Sequence, residues 1–211
     1  MIALYTALGF LWGSMMFSYW LGLIVKKDIR RMGDGNPGAY NLWHAAGFKL
    51  GILGAFLDFM KGYLPLYVLV RGGHVKDMAI IPAAIGPVLG HAFSPFMKFK
   101  GGKAIAVSFG VWSAVAGFEV SLAYAIILAI LQILVKFISS KKPLPVEIDA
   151  FTVVLGMGIL CIYLMLGSFA RQFILFAFLN LLVLIFKNKE KLYVLYEKIW
   201  ANEENQVFKE T

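Results

Sequence analysis

The chain has 211 residues, of which 60% are hydrophobic and 15% charged, and it carries a formal net charge of +8. Soluble domains are about half apolar, so this composition, with a mean hydropathy of +0.77, excludes an ordinary soluble protein. The single cysteine, Cys161, excludes an intramolecular disulfide and a cysteine-based metal site.

Seven apolar segments are long enough, or nearly long enough, to cross a bilayer core, which takes about 20 helical residues. We therefore predict an all-α integral membrane protein built as a seven-transmembrane-helix bundle. The third and fourth segments are short, and the last two nearly touch. The predicted spans are Ile2–Val25, Gly51–Val70, Met78–Phe93, Ala104–Phe118, Val120–Ile138, Ala150–Gly167 and Phe169–Phe186.

The order of apolar and basic residues predicts the orientation of this bundle. The chain begins without a basic segment, and the basic run Lys26–Arg31 follows the first apolar segment. This order is typical of a retained helix with its N-terminus outside the cell and not of a cleaved signal peptide. An odd number of spans then places the C-terminus in the cytoplasm and most lysines and arginines on cytoplasmic loops, as the positive-inside rule requires. A basic cytoplasmic face fits anionic lipids or phosphate-bearing ligands, so the net charge does not require a nucleic acid partner.

After the last span, the sequence predicts a separate tail. Residues 1–186 would form the seven-helix membrane domain and residues 187–211 a cytoplasmic amphipathic tail, with Ser139–Asp149 as the nearest approach to a linker. One face of the tail is apolar at helical spacing, through Leu192, Leu195, Tyr196, Ile199 and Trp200. This pattern predicts a helix that lies in the membrane interface. A plain anchor is favoured there over a role in an active site.

Two glycine-rich loops are predicted at the cytoplasmic face. The first, GDGNPGAYN over Gly33–Asn41, has the composition of a nest of backbone N–H groups that binds phosphate, or equally of a simple turn. The second, FMKFKGGK over Phe96–Lys103, combines two glycines with three lysines, which favours phosphate binding over a charged rim. Two such loops on one side predict a single shared site for an anionic ligand.

Polar residues inside the spans are interpreted mainly as structural. Asp58 and Lys61 share a helix face at a spacing of i, i+3, which predicts an ion pair that faces the bundle interior. His91 follows a Gly- and Pro-rich segment, and orienting the second loop is favoured for it over proton transfer. With only His44 and His74 besides it, and no HExxH or similar cluster, we expect no metal site.

Four segments, in order and at consistent spacing, resemble the motifs of one known family. They are Gly33–Asn41 with His44 (G-S-G-N-x-G-A-T-N-x-x-R), Leu57–Gly62 (L-D-x-x-K-G), Gly90-His91 (G-H) and Phe99–Ala104 (F-x-G-G-K-G). These motifs are those of the bacterial membrane glycerol-3-phosphate acyltransferases that use acyl-phosphate, the PlsY family. The resemblance covers roughly the first half of the chain, and the second half matches mostly in hydropathy.

The resemblance implies a function and a set of site residues. The reaction would transfer an acyl group from acyl-phosphate to glycerol 3-phosphate and form 1-acyl-glycerol 3-phosphate (lysophosphatidic acid) and phosphate, in phospholipid biosynthesis. We expect a monomer in the bacterial inner membrane, in contact with membrane lipids, with the active site facing the cytoplasm and no cofactor. The implied catalytic positions are Asp34, His44 and Lys103, and the implied phosphate-binding positions are Gly35, Asn36, Gly38, Asn41, His91, Gly101, Gly102 and Lys103.

The first motif departs from the family pattern at three positions. Its serine, threonine and arginine are replaced by Asp34, Tyr40 and His44. An ionised aspartate repels phosphate, and histidine is mostly neutral where arginine is always charged. We advance the hypothesis that Asp34 raises the pKa of His44 if the two side chains touch.

A further family motif, H-x-E-N, follows the last span and is called the third motif here. This chain departs from it as well. The motif aligns with Asn188–Lys191, in which only Glu190 matches the family residue. Lys191 would restore some of the positive charge that the first motif has lost. These replacements leave two alternatives open: a paralogue with a changed acceptor or donor, and a membrane protein that binds lipid phosphate, or transports a solute, without catalysis.

Overall fold

A computed structural model describes residues 1–139 and 144–210, without the side chains of residues 201–210. The described residues form α-helices joined by short loops and one-turn 3-10 helices. The α-helices are α1 (Ile2–Gly13), α2 (Phe17–Ile24), α3 (Ala39–Ala46), α4 (Phe48–Arg71), α5 (Ile80–Ala92), α6 (Ile105–Val115), α7 (Phe118–Ile138), α8 (Val146–Leu166) and α9 (Arg171–Glu210). Residues 140–143 of the predicted linker and residue 211 of the predicted tail lie outside the described residues.

The prediction of an all-helical membrane protein is confirmed. Among the described residues, 6 helical segments are long and apolar enough to cross a membrane: Ile2–Ile24, Phe48–Arg71, Asp77–Met97, Phe118–Ile138, Val146–Leu166 and Arg171–Trp200. The predicted fourth span is represented by the shorter helix α6, which has 11 residues. Such a helix rises only about 16 Å, against a bilayer core of about 30 Å.

Helix α6 is short because the chain before it enters the bundle without helical structure. Gly101, Gly102 and Ala104 are buried although they precede the helix. At its other end, α6 reaches the level of the end of α4, since residues 113–118 and Arg71 line one cavity. Irregular backbone at this depth is possible because surrounding protein satisfies its polar groups.

The first predicted span is broken in the middle. Helix α1 ends at Gly13 and α2 begins at Phe17, so the carbonyl groups at the break lose their helical partners. Ser94 donates a hydrogen bond to the carbonyl oxygen of Ser14 (2.6 Å), and the Lys61 ammonium donates to that of Met15. The break is therefore stabilised by side chains from α4 and from the loop after α5.

Glycines allow α1 and α5 to pack side by side in parallel. A Cβ atom at Gly86 would lie 2.6 Å from the carbonyl oxygen of Thr6, and one at Gly90 would lie 2.1 Å from that of Phe10. Any side chain would push these helices apart. Because the two run in the same direction and α2 continues the segment of α1, the loops that follow α2 and α5 lie at the same end of the bundle. We call residues 32–38 loop A and residues 93–104 loop B.

The predicted C-terminal helix is not separate from the last span. Helix α9 runs unbroken from Arg171 to Glu210, so the helix does not end at Phe186. The segment contains no glycine or proline that would end the helix after the apolar span. Lys198 forms an ion pair with Glu147 of α8, which shows that the extension still packs beside the bundle.

The close approach of α1 and α5 makes a stability prediction. Gly90→Ala places a methyl group against main-chain atoms and should lower the free energy of unfolding by about 1–3 kcal/mol. Gly158→Ala in α8 is the matched control, because a Cβ atom there meets nothing within 4 Å. Thermal unfolding in detergent should show a lower midpoint for the first variant only; equal midpoints would contradict the packing described.

Candidate active site

Loop A is folded around the side chain of Asn41. The Asn41 amide nitrogen lies 2.9 Å from the carbonyl oxygens of Met32 and Asn36 and 3.1 Å from Oδ1 of Asp34. Gly33 adopts a φ of +53°, and a Cβ atom there would lie 2.7 Å from Oδ1 of Asn41. Asn41 is only 2% exposed. Its amide group therefore holds the loop together, which differs from the predicted direct contact with phosphate.

Loop B rests on His91, which is buried beneath it. The Gly102 N–H donates to the carbonyl oxygen of His91 (3.0 Å). A Cβ atom at Gly101 would lie 2.0 Å from that oxygen, and one at Gly102 would lie 2.2 Å from Nε2 of the His91 ring. The two glycines are thus needed for close packing of the loop. This geometry supports the loop-orienting role of His91.

The two loops meet at the carboxylate of Asp34. Oδ2 of Asp34 lies 3.0 Å from Nζ of Lys103 on loop B and also accepts a hydrogen bond from Lys191 on α9. The side chains of Asp34 and Lys103 are only 9% and 12% exposed. Two loops that the sequence placed on one side are therefore joined through a single ion cluster, and α9 contributes to it.

The pKa of Asp34 is lowered from its usual value of 3.8. Burial alone would raise it, but the hydrogen bond from Lys191 and the charge of Lys103 outweigh burial and favour the ionised form. The cluster therefore contributes fully to stability above pH 3.8 and loses that contribution as the pH falls through the lower pKa of the folded state.

Two further residues at this site were missed by sequence reasoning. Lys187 donates to the carbonyl oxygen of Gly101 (3.0 Å), and Asp149 at the start of α8 lies 3.6 Å from Nζ of Lys103. Lys187 lies one helical turn before Lys191, and this i, i+4 spacing could have indicated a shared face. Asp149 lies in the first turn of α8 together with Glu147, and no motif indicated it.

Two predicted site residues lie apart from the cluster. His44 is exposed and its ring packs against that of Tyr40, 4.5 Å between centroids, on the same helix. In the described part of the chain, the polar partners of Asp34 do not include His44, so the hypothesis of a direct Asp34–His44 contact is not supported. Glu190 is exposed on α9.

A second polar cluster lies below the loops, inside the bundle. The predicted Asp58–Lys61 ion pair is present, with 2.8 Å between Oδ1 and Nζ, and both side chains are almost fully buried. Ser18 of α2 donates to Oδ2 of Asp58 (2.6 Å), and the Lys61 ammonium reaches the α1–α2 break. The pair therefore joins the broken first span to α4.

Breaking this pair should destabilise the protein. Asp58→Asn keeps an acceptor for Ser18 but leaves the Lys61 charge buried without a partner, which costs about 3–5 kcal/mol. Asp77→Asn is the control, because Asp77 is exposed at the other end of the bundle. Thermal unfolding in detergent should separate the two variants clearly. If Asp58→Asn unfolds together with the control, the pair has no structural role.

Comparison with known proteins places this chain in a family. The family model for glycerol-3-phosphate acyltransferase matches residues 3–198. Glycerol-3-phosphate acyltransferase 1 of Thermotoga maritima is 40% identical over 187 residues, which cover 87% of this chain and 92% of that protein. The Aquifex aeolicus glycerol-3-phosphate acyltransferase is 37% identical over 107 residues, 51% of this chain and 56% of that protein.

Solved structures show the same fold. The crystal structure of PlsY (YgiH), an integral membrane glycerol 3-phosphate acyltransferase, in its glycerol 3-phosphate form matches with a TM-score of 0.80 and 24% identity over 93% of this chain and 92% of that one. Its lysophosphatidic acid form matches with a TM-score of 0.78 and 25% identity over the same shares. On the family match and the Thermotoga relative, the chain belongs to the glycerol-3-phosphate acyltransferase family, membrane enzymes of phospholipid synthesis.

Proposed function

We propose that this protein transfers an acyl group from acyl-phosphate to glycerol 3-phosphate and releases lysophosphatidic acid and phosphate. A bond forms between a glycerol hydroxyl oxygen and the acyl carbon, the bond from that carbon to the phosphate oxygen breaks, and the hydroxyl proton is carried away by the released phosphate. The observation that carries the proposal is the meeting of loop A, loop B and α9 at Lys103. The glycerol 3-phosphate and lysophosphatidic acid forms of the solved relative support the choice of acceptor and product.

The lysines of this cluster are the natural ligands for a phosphate group. Lys103 and Lys191 share one anionic oxygen, and Lys187 of α9 donates a hydrogen bond to the main chain of loop B. We assign phosphate binding to the ammonium groups of Lys103 and Lys191, with the backbone of Gly35, Asn36 and Gly38 and of Gly101 and Gly102 lining the site. His44 and Asn41 have no direct contact with phosphate in this assignment.

The chemistry asks little more of the protein than positioning. Acyl-phosphate is a mixed anhydride and already activated, so holding the acceptor hydroxyl against its carbonyl carbon supplies much of the rate. The proposed reaction therefore needs no cofactor.

We further propose seven membrane crossings, with α6 and the buried part of loop B forming the fourth. The N-terminus then lies outside, and the C-terminus and the active site face the cytoplasm of a bacterial cell. Basic residues support this orientation, because Lys98, Lys100 and Lys187 lie at the site end whereas Arg71 and Lys76 lie at the other. We expect the protein to act as a monomer.

A direct assay tests the reaction. Detergent-purified protein is incubated with acyl-phosphate and labelled glycerol 3-phosphate, beside an active enzyme of the same family. Labelled lysophosphatidic acid is the expected product. Acylation of a different alcohol would favour a paralogue with a changed acceptor, and no product beside a working control would refute the proposal.

The role of Lys103 can be isolated with one pair of variants. Lys103→Gln should lower kcat/KM for glycerol 3-phosphate by about 100-fold or more, since it removes a charge-assisted contact with the phosphate of glycerol 3-phosphate and so misplaces the acceptor hydroxyl. Lys100→Gln on the same loop is the control, because Lys100 is exposed. Steady-state kinetics on both variants decides the matter; equal losses would mean that loop charge in general is responsible.

The orientation makes a separate prediction. In a Cys161→Ala background, single cysteines are placed at the exposed positions Lys76 and Lys100. A membrane-impermeant maleimide added to intact cells should label Lys76→Cys, and it should label Lys100→Cys only after the membrane is opened. The reverse pattern would show that the site faces outward.

A further inference from the structure

The two oxygens of the Asp34 carboxylate have different partners. Oδ1 accepts from the Asn36 N–H and from the Asn41 amide, both at 3.1 Å, and so belongs to the fold of loop A. Oδ2 points the other way, to Lys103 at 3.0 Å and to Lys191. One oxygen shapes the loop, and the other engages the two ammonium groups to which we assign phosphate binding.

An oxygen shared by two ammonium groups is the arrangement that a bound phosphate oxygen would adopt. In this chain the protein itself supplies that oxygen. A phosphate that reaches both lysines while Asp34 stays in place brings two anions into contact, and at short range such charges repel strongly. Phosphate and the Asp34 carboxylate therefore compete for the same two Nζ atoms.

The positions of the two partners strengthen this interpretation. Asp34 stands where the family motif has serine, and Lys191 stands where the third motif has asparagine. The two are separated by 157 positions in the chain, yet they touch. An added negative charge on loop A is thus matched by an added positive charge on α9. Together the two replacements leave the summed charge of these two positions unchanged, but they place the Asp34 carboxylate in the site.

We infer that Asp34 is an internal competitor for substrate phosphate: its carboxylate occupies the Lys103–Lys191 position in the empty site, and phosphate binds there by displacing it. The inference rests on the proposed function, because it concerns the same site. Displacement weakens the binding of glycerol 3-phosphate and of free inorganic phosphate alike. Return of the carboxylate to the lysines also assists the release of lysophosphatidic acid, which keeps the phosphate of glycerol 3-phosphate, after each turnover. Asp34 therefore sets the affinity of the site for its anionic ligands.

Asp34→Asn tests this with the least change in shape. The amide oxygen can still accept from Asn36 and Asn41, while the charge on the lysines is removed. We expect the KM for glycerol 3-phosphate and the inhibition constant of inorganic phosphate to fall together by about tenfold, the scale of losing one charged competitor. Asp77→Asn, which removes a carboxylate at the other end of the bundle, should change neither value.

Lys191→Gln separates competition from a structural role. In the wild type, Asp34 competes with substrate phosphate for the Lys191 ammonium. Lys191→Gln should therefore raise the KM for glycerol 3-phosphate less in the wild type than in the Asp34→Asn protein. If the ion pair is purely structural, Lys191→Gln should have the larger effect in the wild type. In the Asp34→Asn protein the pair is already broken, so losing Lys191 would cost little more. Equal effects in both backgrounds would also overturn the inference.

Isothermal titration calorimetry of each purified variant with inorganic phosphate gives the same comparison without turnover. If Asp34→Asn does not fold, Asp34→Ser takes its place and the expectation is the same. Unchanged or weaker phosphate binding in a folded variant would overturn the inference, as would lost turnover with unchanged binding. A wild type that makes no lysophosphatidic acid refutes the proposed function, whereas the phosphate titration still decides the role of Asp34.

Discussion

Polar main-chain groups at one end of an apolar bundle need partners, because lipid offers none. Nearly every feature of the site meets this constraint. Asn41 satisfies carbonyl groups of loop A, Lys187 satisfies one of loop B, and Lys61 satisfies one at the α1–α2 break. Long or amide side chains from neighbouring helices thus take over from water. The irregular backbone that a phosphate site needs is stable only because these side chains surround it.

The same constraint explains why structural and ligand-binding lysines coexist. Lys61 and Lys187 are committed to main-chain oxygens and, in the first case, to Asp58. Lys103 and Lys191 instead meet a side chain, which can move. Charge held by a rotatable carboxylate can be exchanged for another anion, whereas charge held by backbone cannot without unfolding the loop. This difference separates the supporting lysines from those assigned to substrate.

Hydropathy was sufficient for much of the fold. Long apolar runs indicated the membrane helices, and the spacing of Asp58 and Lys61 indicated their pair. Hydropathy could not reveal the break between α1 and α2, since residues on both sides of it are apolar and its partners come from distant segments. It also mistook the last span and its extension for two elements, because a change in polarity does not require the helix to end.

For the site, composition placed the two glycine loops correctly but not their side chains. Glycines and lysines indicate that a loop could bind phosphate. The direction of a side chain, however, depends on contacts with residues far away in the chain. Asn41 turned inward, His44 turned outward onto Tyr40, and Asp149 joined from α8. No local pattern contains that information. The contact between Asp34 and Lys191 joins two positions, far apart in the chain, at which the sequence departs from the family motifs.

The packing of loop B on His91 also fixes the position of the proposed site within the bundle. The two glycines let the chain lie directly on the ring, so the depth of Lys103 below the bundle surface is set by rigid packing. In the proposed reaction, a fixed depth suits two reactants of opposite solubility. A water-soluble alcohol can enter from above while a fatty chain stays among the lipid tails, and neither has to cross into the other's solvent.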